Sequence, residues 1–374
     1  MNHEVYMARA LQLAARGIYS TSPNPRVGCV IVNNGEIVGE GWHQKAGEPH
    51  AEVHALRMAG ERARGATAYV TLEPCSHYGR TPPCALGLIN AGVARVVGAC
   101  SDPNPQVAGK GFAMLRDAGI EVIESCMSAP AEALNSGFMK RMRTGLPLVR
   151  IKLAQSLDGR TAMASGESQW ITGAAARSDV QRLRARSCAI ITGADSVLLD
   201  NPSMTVRPAE TGVELEARLW RQPLRVIVDG QLRVGNNARL LQAEGDILIA
   251  STRQPGAPLL RPANSGALNY WLSPEVEQVP HVDLTALLRH LGSIGINEVL
   301  VESGARLAGA FIEQGLIDEL VVYTAPTMLG SDARPLVQLP LTRMAEQLRW
   351  RWQDVRMVGD DLRLTLVPSC GDKH

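Results

Sequence analysis

The chain has no surplus of charge, no membrane-length apolar run and no cysteine framework. Its 38 basic and 37 acidic residues leave a formal net charge of +1 over 374 residues. A surface so balanced offers no broad field for nucleic acid or an anionic membrane, and any phosphate must be met by local groups. No window reaches the roughly 18 uninterrupted apolar residues of a membrane span. The opening stretch, MNHEVYMARALQLAARGIYS, lacks a signal-peptide core and reads as an amphipathic helix with Val5, Ala8, Leu11 and Ala15 on its apolar side. Seven cysteines, at positions 29, 75, 84, 100, 126, 188 and 370, are an odd and sparse set for a disulfide scaffold. Internal repeats and low-complexity tracts are missing as well. The expectation is a cytoplasmic protein.

What is present is enough apolar material, 45% of the residues, for two cores at about 150 residues per domain. Two successive alternations of strand and helix support that division. In the first, VGCVIVN, ATAYVTL and ARVVGAC read as strands, and residues 50–61, 83–91 and 109–118 as helices. The rhythm restarts with VRIKLAQSLDG, CAIITGADSVL, LRVIVDG, DILIAST, EVLVESG and ELVVYTAP as buried strands, with helices near 173–186, 283–293 and 305–315. TGLP at 144–147 breaks the pattern, so the domains are expected at 1–145 and 146–374. Residues 205–222 and 252–268 read as loops.

Two cysteines stand apart from the others. Cys29, Cys100, Cys126 and Cys188 lie in or beside apolar text and are read as packing, and Cys370 lies in a polar tail. Cys84, however, follows Pro82 and Pro83, and His50 follows Pro49, which places both near helix starts, where proline is tolerated and unpaired amides favour negative charge. With Cys75 they make three ligands suited to tetrahedral zinc with an open fourth position. Glu52 is then free to move protons. His54, four residues after His50, suggests a metalloprotease helix, but that motif needs glutamate directly after the first histidine, and Ala51 stands there. His54 is read as structural.

HAE followed by EPC and a further cysteine resembles the zinc nucleobase deaminases. The general signature has two residues between its cysteines, whereas this chain has eight, CSHYGRTPPC. That insert, with TSPNPRVGCVIV upstream and SDPNPQVAGKG downstream, resembles the deaminase half of the bifunctional riboflavin-biosynthesis deaminase–reductase family over residues 1–145. The resemblance implies a cytidine-deaminase-like layered domain that removes a pyrimidine amino group from a diaminopyrimidine ribosylamine phosphate. It makes His50, Cys75 and Cys84 the zinc ligands, Glu52 the proton shuttle, and Asn24, His43, His77, Arg80, Asp102 and Asn104 the lining of the substrate pocket. Asn-Pro and Asp-Pro are also ordinary turn formers, so loop chemistry alone accounts for part of that set.

The second half lacks a Gly-x-Gly-x-x-Gly turn after a strand, although VLVESGARLAGAF supplies strand, Gly304 and helix. VRIKLAQSLDGR, SQWITG, RLRARSCAIITGADSVLLDNPSMTVR and VLVESG are similar to the reductase half of the same family over residues 147–330. That likeness implies a dihydrofolate-reductase-like domain using NADPH to reduce a ribosyl group to ribityl, and association into homo-oligomers through this domain. It puts Lys152, Ser168, Arg184, Met204, Arg207 and Glu302 at the substrate. At the cofactor it puts Ala154, Trp170, Thr172, Ser196, Asp200 and the stretch from Gly304 to Gly309. The chain departs from the family at Ser303, where glycine is frequent, and in LDNPSM, where Asp-Asp-Pro is usual. Arg184 and Arg207 are planar cations suited to phosphate, and Lys152 and Glu302 are both candidates to assist opening of the sugar ring.

The expected enzyme therefore acts on small phosphorylated pyrimidines, with Zn2+ and NADPH, and without nucleic acid or membrane. Two other readings stand beside it. A zinc deaminase for another nucleobase is opposed by the balanced charge and the whole second half. A lapsed nucleotide-binding regulator is opposed by Glu52, which a structural zinc site does not need.

Overall fold

The computed structural model describes residues 2–78, 82–104, 107–274 and 281–369. The chain divides into two compact units, Met1–Leu146 with Glu216–Leu219, and Pro147–Leu215 with Trp220–His374. The first runs α1 (His3–Ala15), β1 (Gly28–Asn33), β2 (Glu36–Trp42), α2 (Ala51–Ala59), β3 (Thr67–Val70), α3 (Cys84–Asn90), β4 (Arg95–Gly98), α4 (Lys110–Asp117), β5 (Glu121–Ile123), α5 (Ser128–Leu134) and α6 (Ser136–Thr144). Its sheet has the order β2-β1-β3-β4-β5, with β1 antiparallel to both neighbours and β3, β4 and β5 parallel.

Helices cover both faces of this sheet, which is why its strands are apolar at successive positions rather than alternate ones. Cys29 and Ile31 of β1 pack with Ala55, Leu88 and Phe112 under α2, α3 and α4. Val30 and Val32 turn the other way, towards Met7, Ala10 and Phe138 of α1 and α6. The inward side of α1 is therefore Met7, Ala10, Leu13 and Ala14. This corrects the expected face: Val5 is 59% exposed, and Ala15 also faces solvent. The reason is close approach at Ala10 and Ala14, since a Cβ on Gly28 would sit 2.0 Å from the Ala10 carbonyl and 2.8 Å from the Ala14 nitrogen.

The sequence reading passes over β2 because Gly39 and Gly41 interrupt its apolar alternation. Those glycines are where α2 rests. An added Cβ would lie 2.2 Å from the Ala55 carbonyl at Gly39 and 2.3 Å from the Ala51 carbonyl at Gly41.

The second unit contains β6 (Leu148–Ser156), β7 (Arg160–Ala162), α7 (Ala174–Arg186), β8 (Ala189–Gly193), α8 (Ala194–Asp200), β9 (Leu224–Val228), α9 (Arg239–Gln242), β10 (Ile247–Ser251), β11 (Leu268–Leu272), α10 (Leu284–Ser293), β12 (Glu298–Val301), α11 (Ala305–Glu313), β13 (Glu319–Ala325), β14 (Arg334–Pro335), β15 (Trp350–Val358) and β16 (Asp361–Pro368). Its main sheet has the order β11-β10-β9-β8-β12-β6-β13-β16-β15. The strands from β11 to β13 are parallel, and β16 and β15 close one edge as an antiparallel hairpin. CAIITGADSVL is strand only as far as Gly193, and the remainder turns into α8. β15 lies at the edge of the sheet with most of its side chains exposed, and its mixed pattern WRWQDVRMV carries no buried-strand signal.

Charges close the end of this sheet where β6, β12 and β13 begin. Arg150 is 2% exposed and meets Glu319 at 2.7 Å and Glu298 at 3.5 Å, while Arg186 reaches Glu298 at 3.2 Å. Burial of an arginine this deep is tolerable because both flanking carboxylates compensate it. Among the described residues no helix is long and apolar enough to cross a membrane.

The seat of α2 has a measurable cost if filled. Gly41→Ala is expected to destabilise the first unit by about 1–3 kcal/mol, the range for overpacking. Gly87→Ala, inside α3 with only Leu56 Cδ1 at 3.7 Å, should instead stabilise by about 0.5–1 kcal/mol. Denaturant midpoints of the two variants should move in opposite directions, and a shared direction would show that close approach does not govern Gly41.

Candidate active sites

In the first unit α2 and α3 present their N-termini beside the turn that follows β3. His50 occupies the N-cap position of α2 without capping it through its side chain, which leaves the imidazole free to act as a ligand. Cys84 is the first residue of α3, behind Pro83. The chain leaving β3 delivers Cys75 between them. His50 Nδ1 lies 3.2 Å from Cys84 Sγ and 3.6 Å from Cys75 Sγ, and all three ligand atoms lie within 4.8 Å of one another. Bonds of roughly 2.3 Å to sulfur and 2.0 Å to nitrogen at tetrahedral angles need ligand atoms roughly 3.5 Å apart, so the trio fits zinc.

Protons are held unevenly among the three. Hydrogen bonds from Cys84 and His50 pull the Cys75 thiol well below its ordinary range, and the same contact pushes Cys84 up. The backbone N–H of Cys84 also donates to Cys75 Sγ at 3.3 Å. Glu52, on the first turn of α2, is 3% exposed, and burial raises its proton affinity. Among the described residues its Oε2 has no hydrogen-bond partner.

His43 is held from both sides. Burial lowers its pKa to about 4, so the ring is neutral, and its edge meets His50 at 5.3 Å between centroids. Nδ1 lies 3.2 Å from the Pro49 carbonyl and Nε2 lies 3.1 Å from the Asn24 amide nitrogen. These partners assign the proton to Nδ1, which donates to Pro49, and leave Nε2 to accept from Asn24. The half-buried Asp102 accepts from the Asn104 N–H at 2.9 Å, and burial raises its pKa. His77 is exposed. Arg80 and Cys370 lie outside the described residues.

In the second unit the chosen residues gather around α7, β6 and the ends of β8 and β12. Arg184 grips Glu302 with two bonds, 2.6 and 3.0 Å, and also donates to the Thr205 carbonyl. Arg184, Lys152 and Arg207 together hold the Glu302 carboxyl below its usual range against burial. Burial lowers the Lys152 ammonium. The Arg184 fork is thus largely engaged by protein groups, and the half-exposed Arg207, paired with Glu210 at 2.6 Å, is the freer cation. Met204 is buried with a left-handed φ of 53°.

Ser168 donates to Asp200 at 3.0 Å, which joins a predicted substrate residue to a predicted cofactor residue. Trp170 is exposed, with the Arg177 guanidinium 4.7 Å above its ring, and the Thr172 carbonyl accepts from Arg177. Gly304 is the N-cap of α11 and its N–H donates to Ser196 Oγ at 3.2 Å. Ala154 lies on β6. Gly309 answers to packing, since a Cβ there would lie 2.0 Å from the Gln338 carbonyl. Sequence reasoning assigns nothing to Glu73, which is buried between β3 and Cys75. The available signal was a charged residue placed directly between an apolar strand and Pro-Cys.

Two family models match different parts of the chain. Residues 1–100 match the cytidine and deoxycytidylate deaminase zinc-binding region, and residues 147–364 match the RibD C-terminal domain. The chain is 54% identical to the riboflavin biosynthesis protein RibD of Escherichia coli, covering 98% of this chain and 100% of that one. It is 51% identical to the Haemophilus influenzae protein of the same name, covering 98% and 97%. Among solved structures, Acinetobacter baumannii RibD superposes with a TM-score of 0.89 at 48% identity, covering 98% and 99%. A Thermotoga maritima protein described as a diaminohydroxyphosphoribosylaminopyrimidine deaminase/5-amino-6-(5-phosphoribosylamino)uracil reductase superposes at 0.85 with 31% identity, covering 98% and 99%.

A zinc-binding deaminase unit followed by a reductase unit defines a bifunctional deaminase–reductase. The chain belongs to the RibD family of riboflavin-biosynthesis enzymes.

Replacement of either sulfur tests the metal centre directly. Cys75→Ser and Cys84→Ser should each lower zinc from about one ion per chain, the content of a single three-ligand site, as measured by elemental analysis of the purified protein. Full occupancy in both variants would remove these cysteines from the site.

Proposed function

We propose that the first unit hydrolytically deaminates a diaminopyrimidine ribosylamine phosphate, and that the second uses NADPH to reduce the ribosyl group of the product to ribityl. The observation that carries the first half is the buried, unpartnered Oε2 of Glu52 beside His50, Cys75 and Cys84. These three residues would hold zinc, which when bound would supply an acidified water for attack on the amino-bearing ring carbon. Glu52 would accept a proton at Oε2 and return it to the amino nitrogen as that group leaves as ammonia. A raised proton affinity suits a group that must both accept and return a proton. His43 orients His50 through Pro49, and Asn24, His77, Asp102 and Asn104 line the pyrimidine pocket.

For the reduction, an excess of positive charge from Lys152, Arg184 and Arg207 around Glu302 suits a phosphorylated sugar. NADPH supplies the hydride. The N-terminus of α11 offers backbone N–H groups to its phosphates, and Ser303 Oγ, which has no hydrogen-bond partner among the described residues, adds a polar group there. Ser196, Asp200, Trp170, Thr172 and Ala154 complete the cofactor side, and Ser168 and Met204 the substrate side. Delivery of hydride needs alignment of nicotinamide and sugar more than an acid or base, in keeping with a site built by positioning. The reading places the enzyme in the cytoplasm, as a homo-oligomer joined through the reductase domain.

Glu52→Gln separates the two reactions. Zinc should stay near its normal content, and ammonia release from the diaminopyrimidine should fall on the order of 10²–10⁴-fold, the contribution of a positioned acid–base group. NADPH oxidation with the deaminated intermediate should be unchanged. Retained deamination would sink the mechanism, and loss of zinc with activity would make Glu52 a ligand.

A further inference from the structure

Glu73 takes no part in the reaction proposed above, yet it is 4% exposed and carries a carboxylate at the centre of the first unit. Among the described residues four backbone N–H groups donate to it. Its Oε2 accepts from the N–H groups of Asp102 and Gly109, each at 3.0 Å, and its Oε1 from those of Gly111 at 2.8 Å and Phe112 at 3.4 Å. Its own N–H donates to the Cys100 carbonyl at 2.9 Å. A second contact locks the same pieces together, because a Cβ on Gly111 would lie 1.9 Å from the carbonyl of Pro74. Pro74 immediately precedes Cys75. One side chain therefore ties the turn that delivers a zinc ligand to Asp102 and to the first turn of α4.

From this we infer that Glu73 is a positioning residue for the deaminase: it holds Asp102 at a fixed distance from the zinc ligands, and so sets where the substrate sits relative to the reacting centre. The N-cap of α4, Gly109, has no capping side chain of its own. Glu73 fills that role from a distant part of the chain, and the α4 amides fix the carboxylate in turn. Charge-assisted bonds from four amides leave the carboxylate little freedom, so the Asp102 backbone inherits the rigidity of β3 and α4. The inference rests on the reading of Asp102 as a substrate residue.

The isosteric change Glu73→Gln tests it, since each oxygen serves two amides. Whichever way the new amide points, its NH₂ faces two N–H groups that lose their acceptor. With the full chain and the diaminopyrimidine ribosylamine phosphate, zinc content should stay near one, KM should rise at least ten-fold, and kcat should stay within about three-fold. A residue acting through Asp102 gives a non-additive cycle: Glu73→Gln combined with Asp102→Asn should raise KM no further than Asp102→Asn alone.

If Asp102→Asn raises KM but Glu73→Gln does not, or if their effects multiply, the positioning role is overturned while the substrate reading stands. An unchanged KM in Asp102→Asn would instead remove the substrate reading and the inference with it. Should Glu73→Gln lose zinc, amide hydrogen exchange in the unaltered protein decides. Protection at Asp102 and Gly109 comparable to that of β3 sustains the anchor, and exchange at the rate of an open loop overturns it.

Discussion

The chemistry of the first unit depends on how closely a helix backbone can approach a strand. α2 carries Glu52 and follows directly from His50, and it lies with the carbonyls of Ala51 and Ala55 against the glycines of β2. Had β2 carried ordinary side chains there, the helix would stand farther from the sheet by the width of a methyl group or more. His50 would then be out of reach of the two sulfurs, whose positions are set by a different strand and a different helix. A metal site whose ligand atoms must agree to a few tenths of an ångström tolerates no such displacement.

The second unit solves its positioning problem by charge. Arg184 and Glu302 form a bidentate pair close to Lys152 and Arg207, so one carboxylate anchors a group of cations that would otherwise repel one another. The arrangement holds an excess of positive charge in a partly buried place around one carboxylate, both of whose oxygens are engaged by Arg184. This differs from the first unit, where the Glu52 carboxyl has one oxygen with no hydrogen-bond partner among the described residues.

How far these arrangements were legible in the sequence follows from the range of the interactions involved. His50, Cys75, Cys84 and Glu52 announce themselves because the chemistry demands particular atoms, and prolines mark the helix starts. The parallel strands of the second unit stand out because burial on both faces leaves near-continuous apolar runs. β2 was hidden because its glycines answer to a helix that cannot be seen from the strand alone, and α1 was turned by one position for the same kind of reason. β11 and β15, at the two edges of the large sheet, face solvent and lack a core pattern. Glu73 and the Arg184–Glu302 pair are meetings of residues 29 to 118 positions apart. No local period encodes them.

The ion cluster of Arg150, Glu298, Glu319 and Arg186 sits where three neighbouring strands begin, while Glu302, Gly193 and Gly304 lie where β12 and β8 finish. Arg150 stands directly opposite Glu319 in the ladder, so a slip of one residue would turn a buried cation to the wrong face. Strand alignment is thus guarded from the end opposite the proposed reductase site. A lineage can lengthen, shorten or rewrite the connections at the opposite end, trying new sugars or new nicotinamide contacts, while the frame beneath keeps its alignment. The division of labour along each strand separates heritable architecture from the loops on which selection for substrate acts.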